Sequence, residues 1–377
     1  MIKVDIRTLP IMTGTFVESI FLSSFSHTSL STHLVKHAII DRIERKLVYW
    51  GLYAMKYYYH IIANPASGSG RGSKVAERIK KILDKHHFPH QFYYTQQAGE
   101  ERLTTQKLLK ETLLPWDEAY IENSDMLFPL LVVIGGDGTL HQVVSEVQQV
   151  NEQQIPIAYI PAGSGNDFAR SLDFPKEPEK VFWQIAGTSR PQELTVIHYH
   201  EQIQNEAGVA INNVGIGLDA AIVYAANHSA AKSNLNKFNM GSFSYIAAIL
   251  NVLFRQKGFP ILVECNGQQL SFSKAFLCTT TNHPYFGGGV SIAPTATIKD
   301  NKLDFVLVER VAMFKIFWLI LLLTRKKHMK SRYFHHISTA KIRIISTIPQ
   351  HGQEDGEEMG KRSFDLTLTT AKQLFWC

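Results

Sequence analysis

Short apolar runs in the first half of the chain each end at a glycine-rich turn and are followed by helical spacing. The clearest is 131–134, where four successive apolar residues are typical of a strand covered on both faces. Residues 57–63 and 155–160 have the same strand-like character, and helical spacing follows at 75–83 and 140–147. This alternation predicts a parallel sheet with helices on its faces.

Beyond about residue 190 the pattern changes to strand-like segments with few helices between them. These segments are 194–199, 207–214, 261–263, 270–279, 303–308, 341–345 and 363–369. Residues 242–254 are predicted to be a helical insertion, and residues 354–358 a charged turn. Strands that follow one another without crossover helices predict a second, mostly antiparallel β domain.

Composition narrows the class of protein without selecting a ligand. The chain has 377 residues, of which 45% are hydrophobic and 19% charged, so it is globular and long enough for two or three domains. Its net charge of +6 favours anionic partners such as nucleotides or acidic lipid surfaces. We expect no nucleic-acid partner, since no aromatic-and-basic RNA motif or zinc-finger spacing is present. The three cysteines are typical of free thiols in a reducing compartment.

Three glycine-rich turns have the pattern of a phosphate site. They are Asn-Pro-Ala-Ser-Gly at 64–68, Gly-Gly-Asp-Gly-Thr at 135–139 and Gly-Ser-Gly-Asn-Asp at 163–167. Each turn alone is common and often structural, but turns that follow adjacent parallel strands converge on one crevice. Glycines leave room for a large anion, and a following helix presents its N–H groups to that anion. Asp137 adds a carboxylate suited to a phosphate-bound Mg²⁺.

Longer segments around these turns resemble the diacylglycerol kinase catalytic domain, the family of soluble bacterial lipid kinases and sphingosine kinases. The segments are NPASGSGRG at 64–72, GGDGTLHQVV at 135–144 and PAGSGNDFARSL at 161–172. Residues 213–219, 292–304 and the Asp-Gly-Glu at 355–357 also match, so the resemblance covers about residue 55 to the C-terminus. The GGDGT motif is shared with NAD kinases, whereas the other motifs narrow the resemblance to lipid kinases.

The resemblance implies an α/β plus β fold with two domains. The first is a parallel-sheet nucleotide-binding domain of the NAD kinase and diacylglycerol kinase type, and the second a mostly antiparallel β-sandwich. We expect residues 55–190 to form the ATP-binding catalytic domain, completed by part of 345–377, and residues 191–344 the β-rich lipid-substrate domain. Residues 1–54 match nothing in the family; we interpret them as an upstream extension, such as a misplaced start codon would give, or as an arm that packs on the core.

The resemblance further implies an ATP-dependent lipid kinase that uses Mg²⁺ and converts diacylglycerol to phosphatidic acid. Asp137 would hold the catalytic Mg²⁺, and Glu357 would be the general base for the lipid hydroxyl, with Glu358 as the alternative. The implied ATP contacts are Asn64, Pro65, Ala66, Ser67, Gly68, Thr95, Gly135, Gly136, Asp137, Gly138, Thr139 and Ser164. A structural Mg²⁺ is implied at Asp300 and the carbonyl groups of Thr297 and Lys302.

Without the resemblance, several of these residues have plainer interpretations. Asp137 is also typical of a helix N-cap, and the acidic residues at 354–358 are typical of a solvated turn. One departure from the family concerns His141 and Gln142, which stand where many relatives have Asn-Glu. That departure removes a carboxylate near the phosphates and leaves open how a bound nucleotide is hydrogen-bonded.

The most apolar run, residues 311–323, is followed by the basic cluster 325–332. At thirteen residues the run is too short to span a bilayer, which needs about 20. It is either an amphipathic helix packed on the β domain or a helix that lies at a membrane surface with its basic end on anionic headgroups. With the resemblance, we expect a cytoplasmic protein associated peripherally with the inner face of the membrane. Relatives are often dimers, which leaves a homodimer open.

Two other functions remain open on the sequence. One is an NAD-kinase-like phosphotransferase acting on a soluble acceptor, because the GGDGT motif is shared with NAD kinases. The other is a catalytically inactive, nucleotide-responsive protein that binds membranes. The acceptor lipid itself has no short motif, so the sequence does not select it.

Overall fold

The computed structural model describes residues 57–97, 99–117, 127–150, 154–232 and 249–377. The predictions for residues 1–54 and for most of the insertion at 242–254 lie outside this part of the chain. Within the insertion, residues 249–255 are helical.

The first half of the described chain forms a parallel sheet with the strand order β2-β1-β3-β4. Its strands are β1 (Tyr57–Ala63), β2 (His90–Tyr94), β3 (Phe128–Gly135) and β4 (Ile157–Pro161). Its helices are α1 (Ser67–Lys85), α2 (Glu100–Glu111), α3 (Asp137–Gln149), α4 (Asp167–Ser171) and α5 (Pro178–Ala186). Every residue of β3 is buried, which explains its continuous apolar run.

Both faces of the parallel sheet are covered because successive side chains of a strand point to opposite faces. In β3, Leu130, Val132 and Ile134 pack in a cluster with residues of α1 and α5. Leu131 and Val133 pack in a second cluster, with residues of α2 and α3. The carboxyl ends of the strands align, with Gly135 of β3 opposite Pro161 of β4. The loops that follow these strands are therefore held along one edge of the sheet.

The second half of the chain is mostly antiparallel. Its strands are β5 (Gln192–Glu201), β6 (Glu206–Ala210), β7 (Asn213–Gly217), β8 (Phe259–Cys265), β9 (Gln268–Thr281), β10 (Tyr285–Phe286), β11 (Val290–Ser291), β12 (Leu303–Glu309), β13 (Phe334–Thr339), β14 (Lys341–Glu354) and β15 (Glu357–Phe375). Its helices are α6 (Leu218–Lys232) and α7 (Met313–Thr324). Cys265 and Cys278 are buried in its apolar core. Among the described residues, no helix is long and apolar enough to cross a membrane.

Strand β15 joins the two halves. It pairs with β14 and along ten residues with β5, and it ends beside β4, where Phe375 is paired with Ile157. Trp376 follows as a fully buried side chain. Its ring lies 5.3 Å from that of Tyr57 and 4.8 Å from that of Trp116, and its Nε1 donates to the Ile185 carbonyl at 3.1 Å. The end of the chain is thus part of the core around β1.

Several predicted boundaries are wrong. The strand predicted at 207–214 is two strands, because the N–H groups of Ile211 and Asn212 donate to the Asp355 carboxylate instead of to a neighbouring strand. The strands predicted at 341–345 and 363–369 extend into the long β14–β15 hairpin. Helix α1 begins inside the predicted loop, at Ser67, and passes through left-handed backbone at 68–70 before its regular turns.

Candidate active site

The three glycine-rich turns meet backbone to backbone at the carboxyl edge of the parallel sheet. A Cβ atom built on Gly163 would lie 2.5 Å from the Cα atom of Gly136. A Cβ atom built on Gly68, whose φ is +57°, would lie 2.3 Å from the Ala162 carbonyl oxygen. These glycines are required by close approach between loops, and the turns at 64–68, 135–139 and 163–167 form one surface.

Asn64 connects the first two turns. Its Nδ2 donates to Glu101 Oε1 at 2.9 Å and to Thr139 Oγ1 at 3.2 Å. Its Oδ1 accepts the backbone N–H groups of Ala66 and Ser67, at 3.0 and 3.1 Å. The buried Thr95 hydroxyl donates to the same Glu101 oxygen at 3.4 Å. Asn64, Thr95 and Thr139 are therefore neighbours, although two of their hydrogen bonds pass through Glu101, which the sequence did not indicate.

The N-terminus of α3 is a candidate anion site. Gly136 precedes the helix in extended backbone, and no side chain caps the first turn, so its N–H groups remain for a ligand. Gly138 and Ser164 are exposed beside it. The geometry suits a phosphate group held by backbone amides.

Asp137 is held by the next helix. Its carboxylate accepts the backbone N–H groups of Asp167 at 3.0 Å and Phe168 at 3.4 Å, so it caps α4. The interpretation of Asp137 as a helix N-cap therefore applies to α4 and not to α3, whose cap residue is Gly136. The pKa of Asp137 is raised to about 6, chiefly by burial and also by the negative charge of Asp167, against the lowering effect of the two backbone hydrogen bonds. A divalent cation fits here because it would offset both unfavourable effects.

Asp167 ties this surface to the second half of the molecule. Its carboxylate accepts the Gly288 N–H at 2.8 Å, in the glycine turn between β10 and β11, and pairs with Arg170. Burial raises the pKa of Asp167 as well. Two carboxylates, those of the partly buried Asp137 and the buried Asp167, thus lie side by side next to the α3 N-terminus.

The acidic turn between β14 and β15 is built around a buried residue, Asp355. Its carboxylate accepts the backbone N–H groups of Ile211 at 2.6 Å, Asn212 at 2.8 Å and Asn213 at 2.9 Å. It also accepts the Nδ1–H of His141 at 2.9 Å. The Asp355 side chain is 0% exposed, so the interpretation of the whole turn as solvated charge is wrong. His141 lies one helical turn after Asp137, and α3 thereby links the phosphate edge to the acidic turn.

The two candidate bases point to different helices. Gln142 of α3 donates through Nε2 to Glu357 Oε1, and its own Oε1 accepts from Arg102. Glu358 instead accepts from Asn227 of α6 at 2.9 Å and lies 3.5 Å from His228. Adjacent residues of a strand face opposite sides, which separates the two carboxylates. Glu357 is therefore the one on the side of Asp137 and α3.

The residues implied for a structural Mg²⁺ lie apart from this surface, against β5. The Asp300 carbonyl accepts the hydroxyl of Thr195, and the Thr297 hydroxyl accepts the Lys299 N–H at 3.3 Å. Asp300 Oδ1 is a buried oxygen that has no hydrogen-bond partner among the described residues. An unpaired buried carboxylate oxygen fits a cation held with the carbonyl groups of Thr297 and Lys302.

Sequence reasoning missed the contacts of His141 and Gln142 with the acidic turn, and the contact of Arg102 with Gln142. The available signal was the departure from the family at His141 and Gln142. Its structural meaning depends on residues more than 200 positions away, which no local pattern reveals.

Comparison with known proteins agrees with this architecture. Residues 58–197 match the family described as diacylglycerol kinase catalytic domain, and residues 212–370 match the YegS C-terminal NAD kinase beta sandwich-like domain. The protein named "Putative lipid kinase YtlR" from Bacillus subtilis is 27% identical over 83% of this chain and 96% of its own length. A diacylglycerol kinase of Staphylococcus carnosus is 24% identical over 81% of this chain and 90% of its own length.

A crystal structure of a putative diacylglycerol kinase from Bacillus anthracis has the same fold, with a TM-score of 0.63 at 19% identity, over 84% of this chain and 94% of that chain. The sequence matches and the fold comparison agree on the order of the two domains. The resemblance predicted from the motifs is confirmed: the chain belongs to the diacylglycerol kinase catalytic-domain family of lipid kinases, with a C-terminal β-sandwich-like domain.

Proposed function

We propose that this protein transfers the γ-phosphate of ATP to the hydroxyl of a membrane lipid, and that the lipid is diacylglycerol, giving phosphatidic acid. The observation that carries the proposal is the position of Glu357. Gln142 holds this carboxylate against α3, the helix that begins with Asp137 and carries the uncapped amides. A base, a candidate metal ligand and a phosphate cradle are thus arranged around one helix, as phosphoryl transfer requires.

The glycine turns bind and orient the nucleotide in this proposal. The amides of residues 136–139 take the phosphates, with Asn64, Thr95 and residues 65–68 forming the other wall of the crevice. Asp137 would hold the Mg²⁺ that accompanies the nucleotide, and Asp167 lies close enough for its charge to assist. When bound, the ion neutralises charge on the phosphate oxygens.

Glu357 acts on the acceptor. Its carboxylate takes the proton of the lipid hydroxyl as that oxygen bonds to the γ-phosphorus, and the bond from phosphorus to the ADP oxygen breaks. Gln142 and Arg102 fix the carboxylate, since Gln142 donates to Glu357 and accepts from Arg102. The base is therefore oriented before substrate arrives.

An exposed apolar stripe supports peripheral binding to the inner face of the membrane. On α7, Phe314, Phe317, Trp318 and Leu321 are 71, 45, 57 and 39% exposed, and their spacing places them on one side of the helix. Phe254 extends the stripe, with its ring 6.2 Å from that of Phe317. Exposed basic residues follow at 325–327, 330 and 332. Aromatic side chains beside a basic cluster match a helix at an anionic lipid surface.

A transfer assay tests the catalytic proposal. The full chain is incubated with Mg²⁺, γ-labelled ATP and, in separate reactions, diacylglycerol, a sphingoid base, a polyprenol or NAD. We expect label in the diacylglycerol reaction, as phosphatidic acid, and none with Asp137→Ala. Label in NAD would replace the proposal with a soluble-acceptor kinase, and ATP binding without transfer to any acceptor would identify an inactive nucleotide-binding protein.

Vesicle sedimentation tests the membrane proposal. Replacing Phe317 and Trp318 together by Ser is expected to weaken binding to phosphatidylglycerol-containing vesicles at least tenfold, and added salt is expected to weaken binding of the unaltered protein. Ile348→Ser is the matched control, because Ile348 is also exposed, at 47%, but lies on β14. Equal binding by the double variant and the control would remove α7 from the membrane surface.

A further inference from the structure

Three potential metal ligands converge where α3 meets the β14–β15 turn. One ligand atom each from His141, Glu354 and Glu357 lies within 4.8 Å of the other two. Two ligands that share one metal at about 2.1 Å from it are roughly 3 to 4 Å apart, so small side-chain movements would bring all three onto one ion. The set contains a nitrogen ligand, unlike the carboxylate and carbonyl oxygens discussed above for Mg²⁺.

The His141 ring is oriented as metal-binding histidines are. It is 1% exposed, and its Nδ1–H donates to the Asp355 carboxylate, which leaves the lone pair of Nε2 for another partner. Nε2 makes no hydrogen bond to any described residue. In metal sites, one ring nitrogen of a histidine ligand commonly donates to a carboxylate, and this hydrogen bond orients the other nitrogen towards the metal. His141 has this arrangement. Three backbone N–H groups hold Asp355 in turn, so the ring is rigidly placed.

Glu354 supplies a second unpaired atom in the same place. Its side chain is hydrogen-bonded by Tyr199, but its Oε2 is buried and has no hydrogen-bond partner in the described chain. Buried polar atoms without partners are rare in folded proteins, and two of them on residues of the same three-residue cluster point to a missing ligand. The third member, Glu357, is already fixed by Gln142 through its Oε1.

We propose that His141, Glu354 and Glu357 form a binding site for a divalent transition metal of the Zn²⁺ class. One imidazole and two carboxylates suit Zn²⁺ and its neighbours, whereas Mg²⁺ selects oxygen ligands and retains its waters. The site is separate from the Mg²⁺ expected at Asp137 and at Asp300. Its consequence rests on the proposed function: a metal that holds the Glu357 carboxylate prevents that group from taking the proton of the acceptor, so the site is inhibitory.

Cobalt titration of the full chain tests the site without any kinase assay. Co²⁺ is added to chelator-treated protein, and its visible absorption is followed. We expect the unaltered protein to bind one more equivalent than His141→Asn or Glu354→Gln, with this equivalent displaced by Zn²⁺ and not by millimolar Mg²⁺. His335→Asn is the matched control. His335 also pairs with a carboxylate, that of Glu309, but it lies on β13 and is not a member of the proposed site.

Circular dichroism of each variant establishes that the comparison is between folded proteins. If His141→Asn unfolds, Glu354→Gln, which keeps the side-chain shape, still tests whether the metal site exists. Equal Co²⁺ stoichiometry and absorption in the unaltered protein and in Glu354→Gln would overturn the site. With an acceptor in hand, Zn²⁺ should inhibit transfer by the unaltered protein at a concentration at least tenfold below that needed for His141→Asn. A chain that phosphorylates no acceptor refutes the proposed function alone, while the titration still decides the metal site.

Discussion

At the scale of single residues, the acidic turn separates two neighbouring glutamates that the sequence left as alternatives. Glu357 faces Gln142 on α3 and Glu358 faces Asn227 on α6. We predict that Glu357→Gln lowers the turnover number at least a hundredfold, because the amide cannot take the acceptor proton. ATP binding should be unchanged, since the proposed nucleotide contacts lie on the glycine turns.

Glu358→Gln is the matched control for this prediction and should alter turnover less than threefold. Both variants are measured by steady-state transfer to the lipid acceptor and by calorimetric binding of ATP. If Glu358→Gln loses turnover and Glu357→Gln keeps it, the base has been assigned to the wrong face of β15.

A second residue-scale prediction concerns Asp219, a buried carboxyl group near Gln353. Burial raises the pKa of Asp219 to about 6, above its value of about 3.9 in an unfolded chain. The folded state therefore favours the protonated acid, and this contribution to stability is full below about pH 4 and is lost as the pH rises through 6. Between pH 5 and pH 8 the lost contribution is about 1 kcal/mol.

The Asp219→Asn variant, which has no such proton, is expected to lack this pH dependence. The measurement is urea unfolding in the presence of EDTA, at pH 5 and at pH 8. When the pH is raised from 5 to 8, the free energy of unfolding of the variant should increase by about 1 kcal/mol relative to that of the unaltered protein. Asp173→Asn, at an exposed position with the same chemical change, should show no such gain. If the free energies of unfolding of Asp219→Asn and of the unaltered protein differ by the same amount at pH 5 and at pH 8, the assignment of the raised pKa to Asp219 is contradicted.

At the scale of elements, the sequence predicted strands and turns well where the causes are local. The apolar run at 131–134 and the glycines after it lie within β3 and at the start of α3. The prediction from sequence was wrong at 207–214, where a distant residue interrupts the strand. The Asp355 carboxylate accepts N–H groups that a continuous strand would have donated to its neighbour. A carboxylate that lies 143 positions away from Asn212 leaves no trace in local spacing.

The kinked start of α1 gives a prediction for an element. Gly68 and Gly70 both have left-handed backbone, but a Cβ atom on Gly68 would meet the Ala162 carbonyl oxygen at 2.3 Å, whereas one on Gly70 would meet nothing within 4 Å. Alanine at either position is expected to cost about 1 to 2 kcal/mol of backbone strain. Only Gly68→Ala should also push apart the turns at 64–68 and 161–166, between which we propose that the nucleotide binds.

We therefore expect Gly68→Ala to weaken ATP binding at least tenfold and Gly70→Ala to weaken it less than threefold. Isothermal calorimetry with ATP measures the binding, and thermal unfolding measures the strain that the two variants share. Equal affinities in the two variants would mean that the approach of Gly68 to Ala162 has no part in forming the nucleotide site.

At the scale of the whole molecule, the sequence indicated two halves and a late segment that completes the first, but not how that segment is held. Strand β15 is paired with β5 for most of its length and delivers Phe375 to β4 and Trp376 to the core beneath β1. Pairing between strands about 170 residues apart is set by packing of the whole sheet, which periodicity does not encode. One strand thus carries both Glu357 at its start and a core residue of the nucleotide half at its end.

This continuity predicts that the two halves unfold together. Trp376→Ala removes a fully buried ring that contacts Tyr57 and Trp116, and should lower the free energy of unfolding by about 3 to 5 kcal/mol. Trp318→Ala, at an exposed ring on α7, should change it by less than about 0.5 kcal/mol. In urea, tryptophan fluorescence and far-ultraviolet circular dichroism should shift to the same lower midpoint in Trp376→Ala. Separate midpoints would show that β15 does not couple the unfolding of the two halves. A mutation at the C-terminus would then leave the contacts of Glu357 unchanged.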